Sequence, residues 1–170
     1  RQGNARPEDQ FKLLRTGLNA NPNEMQLFER LMTLLNRRDE TAENTSEFLK
    51  SMLARGESTA LVHLLLGTDA AARGDQNVAL RHLEQACKID PNMEFAANNL
   101  AWELAHSDPP QLERALALID QVIDRNPDFG HYRGTRGQVL AKMGRWQEAL
   151  IDLEAALPML AHSLPLHETL

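Results

Sequence analysis

Histidine and cysteine are the residues of this sequence whose types and spacing could support metal binding or nucleophilic chemistry. His167-Glu168-Thr169 matches the first half of the zinc-binding pattern H-E-x-x-H, but the second histidine would fall after Leu170. His162 and His167 are five residues apart, a spacing that does not place two imidazoles on one helix face. We therefore predict no metal ligand at this end of the sequence.

None of the remaining histidines has a second His, or a Cys, three or four residues away along a helix, so we expect structural or surface roles for them. Cys87 falls in the later part of a predicted helix, whereas a nucleophilic cysteine needs a nearby base or a helix N-terminus. A glycine-rich phosphate loop, a nucleophile elbow and a paired-carboxylate pattern are all missing from the sequence. We predict no catalytic residue, no cofactor and no enzyme activity.

The composition narrows the classes of partner. The formal net charge is −6, and the strongest basic pair, Arg37-Arg38, is followed directly by two acids, so nucleic-acid binding is not expected. No apolar run approaches the roughly 18 residues that a membrane-spanning helix needs. The compartment stays open between the cytoplasm and, if an export signal was removed, an extracytoplasmic location. Because the sequence does not begin with Met, we expect a piece of a longer protein.

The sequence contains a repeat of about 35 residues, which indicates the helices that would position functional side chains. Pro91 and Pro127 are 36 residues apart, and each stands at the end of a similar sequence segment. Small residues follow the same period at two further slots, with gaps of 34 and 36 residues: Gly67, Ala101 and Gly137 at one slot, and Ala79, Ala115 and Ala149 at the other. Several residue types sharing one period indicate a repeat architecture.

Each period contains two helical patterns. One apolar stripe falls at offsets 0, 3, 4, 7 and 8 and consists of Ala115, Leu118, Ile119, Val122 and Ile123. Gly74 and Gly144 lie between the two helices of a pair, where glycine tolerates a left-handed conformation. The recurring small residues let the two helices approach closely. No stretch alternates with period two, so the predicted fold class is all-α.

The turn within "NNLAWELAHSDPPQLERALALI" is two residues longer than its counterparts. Asp108 can cap a helix, Pro109 and Pro110 suit its first turn, and Gln111 can reach back to the cap. We therefore expect a second helix that starts at this turn, with Asp108 as its cap.

The phrase "LLLGTDAAARGDQNVALRHLEQACKIDPN" resembles a tetratricopeptide repeat (TPR). The motif residues of that family correspond here to Leu66-Gly67, Gly74, Ala79, Leu83, Ala86 and Pro91. The resemblance covers nearly the whole sequence and implies a right-handed α-solenoid of antiparallel helix pairs, a TPR-like superhelix. Departures occur where the family has an early Trp, since His63, Ala97 and Arg133 stand there, and Arg136 replaces the Leu before Gly137.

The repeat boundaries follow from this alignment, which treats residues 1–170 as one solenoid. The predicted segments are a partial repeat at about 8–22, a degenerate repeat at 23–57, repeats at 58–92, 93–127 (with the two-residue insertion) and 128–162, and the start of a further helix at 163–170.

In the TPR family the first helices line the concave face, so the resemblance implies that exposed side chains of these helices bind partners. The richest predicted set is Phe95, Asn98, Trp102, His106, His131 and Gln138. Trp102 stays open between groove exposure and packing between repeats. The expected function is a scaffold or adaptor module that binds a peptide or partner protein. Two alternatives remain: a substrate-recruiting segment of a larger enzyme or secretion or assembly complex, and a homo-oligomeric scaffold joined through uncapped ends.

Overall fold

The structure is a computed structural model that describes residues 14, 16–17, 20, 25–37 and 39–163, with side chains as far as 157. Among these residues there is no strand, and eight helices have defined ends. The predicted all-α class is therefore confirmed. The helices are α1 Met25–Leu35, α2 Glu40–Ala54, α3 Ala60–Ala72, α4 Gln76–Ile89, α5 Glu94–His106, α6 Leu112–Arg125, α7 Gly130–Lys142 and α8 Trp146–Ser163.

The chain forms two compact units, of which the first spans residues 1–96. In this unit α1 contacts α2 and α3, α2 contacts α3, and α3 packs along α4. Two of the helix starts have side-chain caps, because Asp39 accepts from Thr41 N and Thr59 accepts from Val62 N. Fully buried apolar side chains from all four helices form the core, among them Leu31, Leu49, Met52, Val62, Leu65 and Leu83.

The second unit spans residues 97–170 and contains most of α5 together with α6, α7 and α8. Here α6 contacts α7, and α7 packs along α8. The buried apolar side chains of α6 fall at the spacing predicted for its stripe, and Ala115, Ile119 and Val122 are almost fully buried. The rest of this core is supplied by the neighbouring helices and includes Leu104, Tyr132, Val139 and Ala149.

Two glycines allow the first and second helix of a pair to approach closely. A β-carbon built on Gly67 would lie 2.8 Å from Leu83 Cγ, and one built on Gly137 would lie 2.8 Å from Leu153 Cγ. Backbone is close as well, since Ala149 O would be 3.1 Å from the β-carbon on Gly137. The predicted close approach at the small-residue slots is therefore confirmed in both pairs.

The turns inside the helix pairs agree with the sequence at the glycines and differ at Asp108. Gly74 has a φ of 80° and Gly144 a φ of 77°, the left-handed conformation that was predicted. The prediction that Asp108 caps α6 is wrong, because the N-cap is Gln111 and its side chain makes no capping bond. The turn is used instead to close α5: Ser107 Oγ donates to Leu104 O at 2.8 Å, and Gln111 N donates to the same carbonyl at 2.9 Å.

Some predicted segments lie outside the described residues. These are most of the partial repeat at 8–22 and nearly all of the further helix start at 163–170, which includes His167. The individual repeat boundaries stay predictions.

Candidate partner-binding site

Three of the predicted partner-binding residues, Asn98, Trp102 and His106, recur every four residues along α5 and so share one face of that helix. Trp102 and His106 are exposed, and their rings stack with centroids 4.3 Å apart and an interplanar angle of 28°. Of the six predicted residues, these two are brought into side-chain contact by the structure. Their stack forms a rigid, partly apolar surface with polar atoms at its edge.

The tautomer of His106 follows from its backbone contact. Its Nδ1 lies 2.8 Å from Trp102 O, and a carbonyl oxygen can only accept a hydrogen bond. Nδ1 therefore carries the proton, and in the neutral ring Nε2 is left as an acceptor. The stacked pair thus offers two kinds of polar atom: the indole N–H of Trp102 as a donor and Nε2 of His106 as an acceptor.

Asn98 differs from the sequence-based expectation of an exposed groove residue. It is only 3% exposed, so the predicted exposure is wrong for this residue. Its Nδ2 donates to Asn99 Oδ1 at 3.3 Å, whereas its buried Oδ1 has no hydrogen-bond partner among the described residues. A buried acceptor without a partner costs roughly 1–3 kcal/mol. Asn98 is therefore a buried polar residue that lacks a partner for its side-chain oxygen, one turn before Trp102.

The other predicted residues lie in different surroundings. Phe95 is partly buried in the first unit, where its ring stacks on Phe28 with centroids 6.4 Å apart. His131 and Gln138 are exposed on α7, two turns apart, and the ring of His131 contacts Phe129 edge-on. These positions leave the stack of Trp102 and His106, with Asn98 beside it, as the best-defined part of the predicted site.

A histidine pair in the first unit was not predicted. His63 Nδ1 on α3 lies 2.9 Å from His82 Nδ1 on α4, and Ser58 Oγ lies 2.8 Å from His63 Nε2. Burial lowers the pKa of both imidazoles, and the pKa of His82 is lowered further by His63 and by the nearby Arg81 and Lys50. The pair shares one Nδ1 proton in a direct hydrogen bond and links the two helices.

An ion-pair cluster in the second unit was also missed. Arg136 on α7 donates to Asp152 on α8 and to Asp120 on α6, and Arg133 donates to Asp152 at 3.4 Å. This cluster lines a cleft of about 350 Å³. The cluster links three helices. Its two arginines are paired with two aspartates, so its net charge is zero. The signals in the sequence are two departures from the TPR pattern, Arg136 in place of a Leu and Arg133 in place of a Trp.

A larger cleft of about 520 Å³ lies in the first unit between the end of α1, the start of α2 and the end of α3. Its arginines are paired with acids of the same wall: Arg37 with Asp39 at 2.9 Å, and Arg73 with Asp69 at 3.1 Å. The cleft has small apolar and mixed polar walls, and Glu40 and Glu43 add two further carboxylates to its lining.

Metal and membrane sites receive no support from the described residues. Within them, no group of three or more His, Cys, Asp and Glu side chains is arranged to hold a metal ion. Cys87 is half-buried on α4. No helix in the described part of the chain is long and apolar enough to cross a membrane.

Solved structures share this fold. YrrB, described as a TPR protein with an unusual peptide-binding site, is 18% identical with a TM-score of 0.65, and the match covers 94% of this chain and 79% of that one. Two structures of MamA, each 18% identical, give TM-scores of 0.62 and 0.60 and match 90% and 97% of this chain, and 88% and 91% of their own. No family model matches the chain, and no curated protein does. These likenesses show the TPR-type α-solenoid fold.

Proposed function

We propose that this protein is a protein-interaction module that binds a peptide or a partner's peptide segment on the face of α5 formed by Asn98, Trp102 and His106. The observation that carries the proposal is the exposed stack of Trp102 and His106 one turn beyond the unpartnered Oδ1 of Asn98. An exposed tryptophan with a ring stacked on it has the character of an interface anchor, and a buried acceptor without a partner calls for an explanation that a ligand can supply.

The chemistry of these groups selects a peptide among possible ligands. Trp102 supplies apolar area and one N–H donor, the combination typical of an interface anchor. His106 Nε2 is an acceptor on an exposed side chain, and Asn98 Oδ1 becomes available once its buried amide turns outward on binding. Both acceptors match the N–H groups that an extended backbone presents. A helical face that is formed before binding also avoids much of the ordering cost on the protein's side.

The similarity to YrrB supports the proposal to the extent that its description names a peptide-binding site in a TPR protein. The scaffold or adaptor role, and binding along a concave face that includes His131 and Gln138, extend the proposal to α7. The proposed core of the site remains on α5.

Selection from a phage-displayed random peptide library tests the proposal, followed by fluorescence anisotropy with the selected peptides. We expect Trp102→Ala to weaken their binding at least about tenfold, which corresponds to about 1.4 kcal/mol. The matched control is Trp146→Ala, which removes the other tryptophan, on α8, and should leave peptide affinity unchanged. Circular dichroism should show equal helicity for both variants.

Equal affinity of the wild type and Trp102→Ala for every selected peptide would place binding elsewhere on the surface. Failure to select any peptide would contradict the proposed ligand class.

A further inference from the structure

Helix α8 carries an exposed apolar stripe that the proposed function does not use. Trp146, Leu150 and Leu157 are 68%, 57% and 58% exposed, and the half-buried Leu153 lies between the two leucines. Their offsets of 0, 4, 7 and 11 residues place all four on one side of a helix. Contiguous exposed apolar surface of this kind marks an interaction site on a soluble protein.

Trp146, Leu150 and Leu157 of the stripe are distinct from the face that packs within the unit, whereas the half-buried Leu153 lies at the boundary and also packs against Gly137 on α7. Ala149, Asp152 and Ala156 are each 2% exposed and lie on the side of α8 that contacts α7. At about 100° per residue, the stripe is centred roughly a quarter-turn to a third of a turn from that face. Helix α8 therefore has two apolar sides, of which one is covered.

Comparison with α6 indicates what the open side can accept. One 34-residue period earlier, Leu112, Leu116, Ile119 and Ile123 occupy the same four slots, and α6 contacts α7, the next helix in the chain. Ile123 is 5% exposed, whereas its counterpart Leu157 is 58% exposed. The stripe on α8 thus has the residue pattern of a face that a further helix covers.

We propose that this stripe pairs with the same stripe of a second copy of the chain, with the two α8 helices antiparallel. The spacing of four, three and four residues is symmetric about a point between Ile151 and Asp152. A two-fold axis at that point places Trp146 opposite the partner's Leu157, and Leu150 opposite the partner's Leu153. This self-complementarity is what an isologous interface requires, since one patch must fit itself.

Area and charge agree with a second copy as the occupant. The exposed parts of the stripe amount to roughly 400 Å² per chain, about half of what each partner of a stable interface buries, and the flanking polar residues supply the rest. Asp152 and Glu148 lie roughly a third and a half of a turn from the stripe, and they are paired with Arg136 and, at 2.6 Å, with Arg145. The exposed Glu154 lies at the edge of the stripe, where its carboxylate can stay in water. Pairing through this face therefore buries no unpaired charge from these groups.

Sedimentation equilibrium over a range of concentrations tests the proposal. We expect a reversible dimer for the wild type and a dissociation constant at least about 100-fold higher for Leu150→Glu combined with Leu157→Glu, because the dimer interface would bury four carboxylates, two from each chain. The control is Ile151→Glu: Ile151 is 63% exposed but lies roughly a third of a turn from the stripe, so the dimer should remain.

Cysteine cross-linking tests the antiparallel register. In a Cys87→Ser background, a mixture of Trp146→Cys and Leu157→Cys chains should form a disulfide between unlike chains. Each variant alone should cross-link much more slowly, because two copies of position 146 would be roughly 16 Å apart along the helices.

A wild type that stays monomeric at all concentrations would overturn the proposal and leave the stripe to another protein or to a following segment of a longer chain. A dimer that survives the double glutamate variant, or that cross-links position 146 to itself, would overturn it as well.

Discussion

Arg136 and Asp152 form a two-pronged ion pair that joins α7 to α8, with Nε 2.5 Å from Oδ2 and Nη2 2.8 Å from Oδ1. Asp152 is buried, and Arg136 also donates to Asp120 at 3.0 Å. The hydrogen bonds to Asp152 raise the pKa of Arg136 above its ordinary value, with a smaller contribution from Asp120. The guanidinium is therefore charged at every pH at which the protein is folded.

Removing the cation from this pair should be costly. Arg136→Leu would leave the buried Asp152 with only the longer contact from Arg133, and we expect a loss of roughly 3 kcal/mol in the free energy of unfolding. Replacing both residues with leucine should recover most of that loss, because the buried carboxylate is removed and the two groups that lose a partner, Arg133 and Asp120, are partly exposed. Urea denaturation measures both values. Arg145→Leu is the control, since its pair with Glu148 is exposed and should matter little.

A double leucine variant as unstable as Arg136→Leu would contradict this account. It would show that the loss comes from packing and not from the unpaired carboxylate.

Gly67→Ala and Gly137→Ala should both destabilise the protein. Each added methyl would lie 2.8 Å from a leucine Cγ, too close to fit without moving the partner helix, and such overpacking costs about 1–3 kcal/mol. Gly134→Ala is the control on α7, because its β-carbon would lie 3.5 Å from Ala156 Cβ, an ordinary contact. Helix propensity should then make Gly134→Ala up to about 1 kcal/mol more stable. Thermal unfolding compares the three variants, and equal shifts at all three glycines would refute the close-approach argument.

The sequence predicts the helix pairs and their closest contacts because these depend on residue size at fixed spacing. Gly67 and Gly137 recur at one slot, and Leu83 and Leu153 recur 16 residues after them, so each pair repeats the same contact. Left-handed glycines at the turns follow from the same local logic. Such features are determined by a few neighbouring residues and by backbone geometry, which a single sequence displays directly.

The polar links between helices are less accessible to sequence analysis. His63 and His82 are 19 residues apart, as are Arg133 and Asp152, and the two pairs occupy the same slots two periods apart. In the sequence, His63 and Arg133 are visible only as departures from the Trp that the TPR pattern has at their position. Their partners on the second helices become apparent only when side-chain direction and reach are known.

Asn98 shows a second limit of sequence analysis. Helical periodicity places it on the same side of α5 as Trp102 and His106, and that part of the prediction is correct. Periodicity gives the side of the helix on which a residue lies, but it does not show which part of that side is covered by the rest of the chain. The exposed fraction of Asn98 therefore required the structure.

Acidification should weaken the fold through His63 and His82. Their pKa values are lowered by burial from an ordinary 6.5, so the unfolded chain takes up protons before the folded one does. The stabilisation is fully present above the ordinary pKa of 6.5, which applies to the unfolded chain, and it is lost as the pH falls through the lowered pKa values of the folded protein. Double protonation also breaks the Nδ1 to Nδ1 hydrogen bond, since neither nitrogen can then accept.

The free energy of unfolding at about pH 7.5 and about pH 5.5, measured with urea, checks this expectation. His82→Gln should reduce the dependence on pH, whereas His131→Gln, a change at an exposed histidine on α7, should leave it nearly unchanged. An equal pH dependence in His82→Gln and the wild type would assign the effect to other groups.

Asn98→Leu should separate binding from stability at the proposed site. Leucine has the same branching and the same number of heavy atoms as asparagine, and it removes an acceptor that has no partner, at the cost of one long hydrogen bond of 3.3 Å to Asn99. We therefore expect the free energy of unfolding to stay the same or to rise by about 1 kcal/mol, because an unpaired buried oxygen is itself destabilising. Affinity for the selected peptides should fall about tenfold, since the amide that turns outward on binding no longer supplies an acceptor for one of the peptide's N–H groups. Asn98→Asp is the contrasting variant: it keeps an acceptor but buries a charge, so it should lower stability. A large loss of stability in Asn98→Leu with unchanged peptide affinity would make Asn98 a structural residue and remove it from the site.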